Sequence, residues 1–174
     1  MLQNFHKKGV AKVGQMAYIV DMKQKVMIFD LDHTVIDSSH RQITLPCGSL
    51  DLEHWLENCT REKIFGDELL PLAEVMQKAF RHYYVVVCTA RQMGVHDFDY
   101  LAHHGLQFDE ILYRAPGDNR PDGEMKHQKL DVFFRTTGFC PSDAVFFEDN
   151  LSVHEAVSVL GITCIHPEDA IHAE

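Results

Sequence analysis

Val26-Met27-Ile28-Phe29-Asp30-Leu31-Asp32-His33-Thr34 is an apolar run that ends in two aspartates one residue apart. A short continuous apolar run closed by polar groups reads as a buried strand, and Asp30 falls where that strand should emerge from the core. Side chains two apart on a strand share a face, so Asp30 and Asp32 begin on one side. A turn after Asp30 can re-aim both around a single point. Two carboxylates that close repel each other unless a cation neutralises them.

Outward from this strand, Tyr84-Val85-Val86-Val87-Cys88 is almost wholly apolar and β-branched, which suits a parallel strand covered on both faces. Further strands are predicted at 110–113, 143–147 and 162–165, and a short edge strand at 17–20. Helices are predicted over 68–80, 98–104, 124–134 and 151–160. In the first of these Leu69, Leu72, Val75, Met76 and Phe80 form the apolar stripe. Asp67 would be its N-cap, with Pro71 tolerated in the first turn. Gly105 and Gly161 stand where helices should close. Residues 115–123 form a loop with two prolines and two glycines. Residues 38–66, punctuated by Pro46, Gly48 and Gly66, read as a flap or small cap insertion, with a short helix over 50–59 that turns Trp55 and Leu56 inward. This alternation predicts a three-layer α/β/α, Rossmann-like parallel sheet in one domain over 1–174. Ligands in such folds bind beyond the carboxyl ends of the strands.

The chain has 174 residues, 45% of them hydrophobic, enough to fill a core. Its formal charge of −10, from 16 basic and 26 acidic residues, is the wrong sign for binding an extended nucleic-acid backbone. No apolar stretch reaches the ~18 residues of a membrane span. The N-terminal stretch lacks the order of a secretory signal, so a soluble, cytoplasmic protein is expected. Five cysteines, an odd number with no Cys-x-x-Cys pair, argue against a disulfide framework or thiolate zinc site. Twelve histidines contain no His-Glu-x-x-His pattern and read as surface or packing residues.

The predicted strand ends gather a coherent set of groups. The first strand supplies Asp30 and Asp32, the second Thr89 and Arg91, the fourth Glu148 and Asp149. The helix before the fourth strand carries Lys126 and Lys129. Taken singly, each has a plain reading: a turn pair, a strand-end cap, a helix N-cap ending in Asn150, a solvated lysine. Their joint placement at one rim is what points to chemistry.

The chain resembles the haloacid dehalogenase superfamily of phosphohydrolases. Its four motifs are matched by Asp30-Leu31-Asp32-His33-Thr34, Thr89, Lys126 and Glu148-Asp149, across roughly residues 26–165. His33 stands where the family often has glycine. A narrower likeness lies in Tyr113-Arg114-Ala115-Pro116-Gly117-Asp118-Asn119-Arg120-Pro121-Asp122-Gly123-Glu124-Met125-Lys126. This stretch is similar to the Gly-Asp-x-Arg-x-Asp-x-x-x-Lys segment of the 3′-phosphatase domain in phage polynucleotide kinase-phosphatases, and it favours Lys126 over Lys129. No Gly-x-x-x-x-Gly-Lys-[Ser/Thr] loop of a kinase half is found.

The resemblance implies an aspartyl-phosphate route. Asp30 would be the nucleophile and Asp32 the general acid and base. Mg²⁺ would be held by Asp30, the Asp32 carbonyl and Asp149, with Glu148 orienting them. Thr89 and Lys126 would hold the phosphoryl oxygens. Arg91 is a candidate for a two-point phosphate contact. Arg114 and Arg120 are candidates for the rest of the substrate, or else for loop salt bridges with Asp118 or Asp122. The expected substrate is a 3′-phosphate end of nucleic acid, with a nucleoside monophosphate or other small phosphoester as the alternative. Phosphotransfer, or a non-catalytic partner-binding module on the same fold, are the readings outside this class.

Overall fold

The protein is described by a computed structural model over residues 23–171; the edge strand expected at 17–20 lies outside the described residues. Its strands are β1 (Val26–Phe29), β2 (Ile36–Asp37), β3 (Glu68–Leu69), β4 (Tyr84–Thr89), β5 (Glu110–Tyr113), β6 (Ala144–Phe147) and β7 (Thr163–Ile165). Its α-helices are α1 (Leu52–Glu57), α2 (Arg61–Ile64), α3 (Leu72–Ala79), α4 (Val95–His103), α5 (Asp122–Thr137), α6 (Leu151–Ser158) and α7 (Pro167–Ile171). Five strands form one sheet in the order β5-β4-β1-β6-β7, all parallel, with β1 at the centre. β2 and β3 pair antiparallel as a separate ribbon.

The two-residue period of β1 divides the core. Val26 and Ile28 pack into a cluster with Leu130 and Phe133 of α5 and with Val153 and Val157 of α6. Phe29 packs on the other face with Met76 of α3 and Leu101 of α4. Both faces of the sheet are therefore covered, which is why its central strands lack polar alternation. α5 closes at Gly138, whose φ of +79° is a left-handed conformation that glycine adopts without a Cβ clash.

The strands of the five-stranded sheet and the α/β/α layering follow the sequence reading; the β2–β3 ribbon and two helix starts do not. The helix expected from 68 begins at Leu72, because Pro71 occupies its N-cap and the preceding residues are extended. Glu68 and Leu69 pair with Asp37 and Ile36, and Leu70 N–H donates to Val35 O at 2.9 Å. Leu69 and Val75 are exposed, and the buried stripe is Leu72, Ala73, Met76 and Ala79. Asp67 is not a cap but a buried ion-pair partner. Helix α4 starts at Val95, ahead of the expected 98, because the Asp97 carboxylate accepts the Gly94 N–H at 2.8 Å and caps the turn. In α1 Trp55 is buried as expected, whereas Leu56 is exposed.

Candidate active site

Asp30 leaves β1 with its N–H still bonded to Phe147 O of β6 at 3.0 Å. The chain then folds back on itself. The Val35 and Ile36 N–H groups both donate to Leu31 O, at 2.9 and 2.8 Å, while Leu31 is fully buried. His33 sits at the tip with φ +59°, a left-handed conformation that costs an L-residue about 1–2 kcal/mol. A glycine at this place would escape that cost. The His33 ring is tied to Gln42 Oε1 at 3.1 Å. This turn separates the two aspartates: their side chains enter two adjoining networks rather than meeting at one point.

The first network is centred on Lys126, which α5 delivers to the sheet rim. Its Nζ lies 2.8 Å from Asp30 Oδ1 and 2.6 Å from Glu148 Oε2. Lys126 is 2% exposed and Glu148 1%, so neither charge is solvated. Glu148 Oε1 also accepts the Asn150 N–H at 3.1 Å. Asn150 itself caps α6, accepting the Ser152 N–H at 3.0 Å, so the helix-cap reading of this segment holds as well. Oxygens of Asp30, Glu148 and Asp149 all lie within 4.8 Å of one another. Burial raises the Asp30 pKa to about 6 against the pull of Lys126. Burial and the charge of Asp30 raise Glu148 to about 8, again against Lys126. Burial disfavours the Lys126 ammonium, but its two carboxylates outweigh this and hold it above its ordinary range. Once all three are ionised, these carboxylates exceed the one ammonium by two negative charges. Hard oxygen donors with that excess fit a divalent cation such as Mg²⁺.

The second network holds Asp32. Arg91 grips it at two points, NH2 to Oδ1 at 2.5 Å and Nε to Oδ2 at 3.1 Å. The Ser38 hydroxyl donates to Oδ1 as well. Burial works against ionisation of Asp32, yet Arg91 and Ser38 prevail and hold its pKa at about 2. Arg91 also reaches Asp97 at 2.8 Å and Asp67 at 3.5 Å. Asp67 is in turn bound by Arg41 through two contacts of 2.8 Å. The Trp55 ring covers both guanidinium groups, 4.1 Å from that of Arg41 and 5.4 Å from that of Arg91.

The three arginines offered to substrate are all engaged within the protein. The Arg91 side chain is 1% exposed and engaged by three carboxylates, among them Asp32. Arg114 donates to Ala90 O, Asp118 O, Arg120 O and Asp122 Oδ1, tying the loop before α5 to the end of β4. Arg120 forms a two-point pair with Asp118, at 2.9 and 2.6 Å. Both loop arginines thus take the salt-bridge alternative. Thr89 is fully buried; its Oγ1 accepts the Arg91 N–H at 3.1 Å, which leaves the hydroxyl proton to donate elsewhere. Ser38, Arg41, Asp67 and Asp97 carry no motif and were not singled out as site residues. The mixed composition of residues 38–66 offered no signal for Ser38 and Arg41.

A central parallel strand carrying the nucleophile candidate, with lysine and acids from its β6 side, defines the haloacid dehalogenase-like fold. A haloacid dehalogenase-superfamily hydrolase of subfamily IA from Geobacter sulfurreducens shares it, with TM-score 0.60 and 16% identity over 82% of this chain and 86% of that one. A chain of the Pnkp1/Rnl/Hen1 RNA repair complex shares it too, with TM-score 0.58 and 18% identity over 95% of this chain and 57% of that one.

Residues 15–114, more than half of the sequence, match the bacteriophage T5 5′-deoxynucleotidase family, and the chain belongs to that family. The 5′-deoxynucleotidase of Escherichia phage T5 is 40% identical over 90 residues, 48% of this chain and 36% of that protein. The chain thus spans little more than a third of the length of this relative. The family stretch contains Asp30, Asp32, Thr89 and Arg91 and stops before Lys126, Glu148 and Asp149. Among the described residues no helix is long and apolar enough to cross a membrane.

Proposed function

We propose that the chain is a phosphomonoester hydrolase that works through an aspartyl-phosphate and acts on the phosphate of deoxynucleoside 5′-monophosphates. The observation that carries this reading is Asp30 at the end of the central strand, ion-paired to a buried Lys126 beside Glu148 and Asp149. A carboxylate Oδ of Asp30 attacks phosphorus, and the bond to the leaving alkoxide breaks. Lys126 neutralises charge on the phosphoryl group, and the Thr89 hydroxyl donates to one of its oxygens. Asp32 gives a proton to the leaving oxygen, then takes one from the water that cleaves the acyl phosphate and frees Asp30. Ionised beside Arg91, Asp32 is ready for the base half. The arriving phosphate dianion raises its affinity for the proton that the acid half needs. Asp30 and Asp149, braced by Glu148, are the residues that would hold Mg²⁺, which when bound shields an anionic nucleophile from an anionic phosphate.

The family match supports a mononucleotide, and so does the engagement of Arg114 and Arg120 within their own loop, since these were the groups offered to a neighbouring phosphodiester. The 3′-end reading draws on the narrow likeness at 113–126 and on residues 38–66, which we read as a flap too short to enclose the rim. A side-by-side assay separates the two, using deoxynucleoside 5′-monophosphates, 3′-phosphorylated DNA and RNA, and p-nitrophenyl phosphate, with and without Mg²⁺. The expected outcome is Mg²⁺-dependent turnover with the highest kcat/KM on the mononucleotides; a preference for 3′-ends reverses the assignment. Asp30→Asn should abolish turnover and phosphoenzyme trapping, and a fully active variant ends the covalent scheme. Asp32→Asn should slow alkyl phosphates roughly 10²–10⁴-fold.

A further inference from the structure

A cavity of about 390 Å³ lies at the carboxyl edge of the sheet beside β4 and β5, away from Lys126 and bordering the Arg91 network at Asp97. Leu56, Met93, Val95, His96, Tyr113 and Pro116 line it. Tyr113 is the register partner of Thr89, so the cavity begins one strand over from the hydroxyl offered to phosphate. Strands lie ~4.8 Å apart, and a sugar between phosphate and base spans one to two such spacings.

The walls do not suit a second phosphate. Arg114, the cation among them, has its donors engaged by Ala90, Asp118, Arg120 and Asp122. Asp97, also at the wall, is paired with Arg91. What remains is apolar and aromatic surface with two unused polar points. His96 Nδ1 is buried without a hydrogen-bond partner among the described residues, and the Gln92 carboxamide makes no side-chain bond there either. A buried polar atom left unpaired costs about 1–3 kcal/mol, which a ligand can recover. Flat apolar walls with a few edge-on polar groups match an uncharged heteroaromatic ring, and the volume lies in the range of ligand pockets.

We infer that this cavity receives the base of the nucleotide, an inference that rests on the mononucleotide reading above. The phosphate is held at Asp30, Thr89 and Lys126, and the base enters between Tyr113 and the start of α4, under Leu56 of the flap. Val95 is 67% exposed at the first position of α4, so Val95→Trp can fill the cavity without disturbing the core. Leu56→Trp, at a position 55% exposed, fills it from the opposite wall. Each should raise KM for deoxynucleoside 5′-monophosphates roughly 10-fold, the size expected for losing one base–aromatic stack. Both should leave kcat/KM for p-nitrophenyl phosphate and 2-deoxyribose 5-phosphate unchanged. Unfosphorylated deoxynucleosides should perturb the Tyr113 and His96 NMR signals of the wild type and not those of Val95→Trp. If the wild type turns over mononucleotides and both variants match it, the base lies elsewhere and the nucleotidase reading stands. An equal loss on base-free substrates also overturns the inference, because the variants then act on the catalytic rim. Hydrolysis of p-nitrophenyl phosphate without any mononucleotide turnover removes the nucleotide reading and the base pocket together.

Discussion

Lys126 bridges two carboxylates that burial would otherwise neutralise, and this fixes how the site answers to pH. Asp30 at about 6 and Glu148 at about 8 titrate above the ordinary carboxylate range. The folded, metal-free protein therefore keeps protons that the unfolded chain has already released above pH ~5. Folded-state proton binding in excess of the unfolded state makes stability fall as pH rises, here from about 4, where the unfolded carboxylates ionise, up to about 8. Adding Mg²⁺ at pH 7 should expel roughly one proton and restore the lost stability. Calorimetry in buffers of different ionisation enthalpy measures the first effect and melting curves the second; the absence of proton release would mean that these carboxylates do not take the cation. Asp30 and Lys126 were legible as a strand end and a motif lysine. The engagement of Arg91 was not, because residue order does not say which of three acids claims one guanidinium. Asp67 and Asp97 come to it only through the β2–β3 ribbon and the start of α4.

Among the elements, α5 positions Lys126, and its seating on α6 depends on one residue. A Cβ on Gly123 would stand 2.9 Å from Ala156 Cβ and 3.2 Å from Ser152 O. Both neighbours are held in a helix, so neither can yield easily. Gly123→Ala should cost about 1–3 kcal/mol through overpacking. Because Gly123 lies less than one turn before Lys126, it should also lower kcat; the melting temperature and kcat together check this. An unchanged kcat at a reduced melting temperature would show that the helix absorbs the shift without moving the lysine. The sheet strands were readable because runs such as 84–88 are continuously apolar and bounded by polar groups. The start of α3 was misread because the apolar residues at 69 and 70 continue the helical pattern. The missing N–H of Pro71 and the pairing of β3 with β2 decide the conformation there, and the second of these is a long-range contact.

At the scale of the whole molecule, a charge of −10 sets which substrates can approach. Affinity for a nucleic-acid strand grows with length only where cations line a track along it. The arginines of this rim are paired internally, so KM for 5′-phosphorylated oligonucleotides should not fall between one and ten nucleotides at low salt. A steep fall would reveal a basic groove. Residues 38–66 also contain the chain's sole tryptophan. Trp55 lies over Arg41 and over the arginine that holds Asp32, so its indole emission comes from a single place at the centre of the machinery. Unlabelled enzyme thus has its own optical probe: a stopped-flow trace of that light, taken as substrate is mixed in, would time events beside the Asp32 network directly.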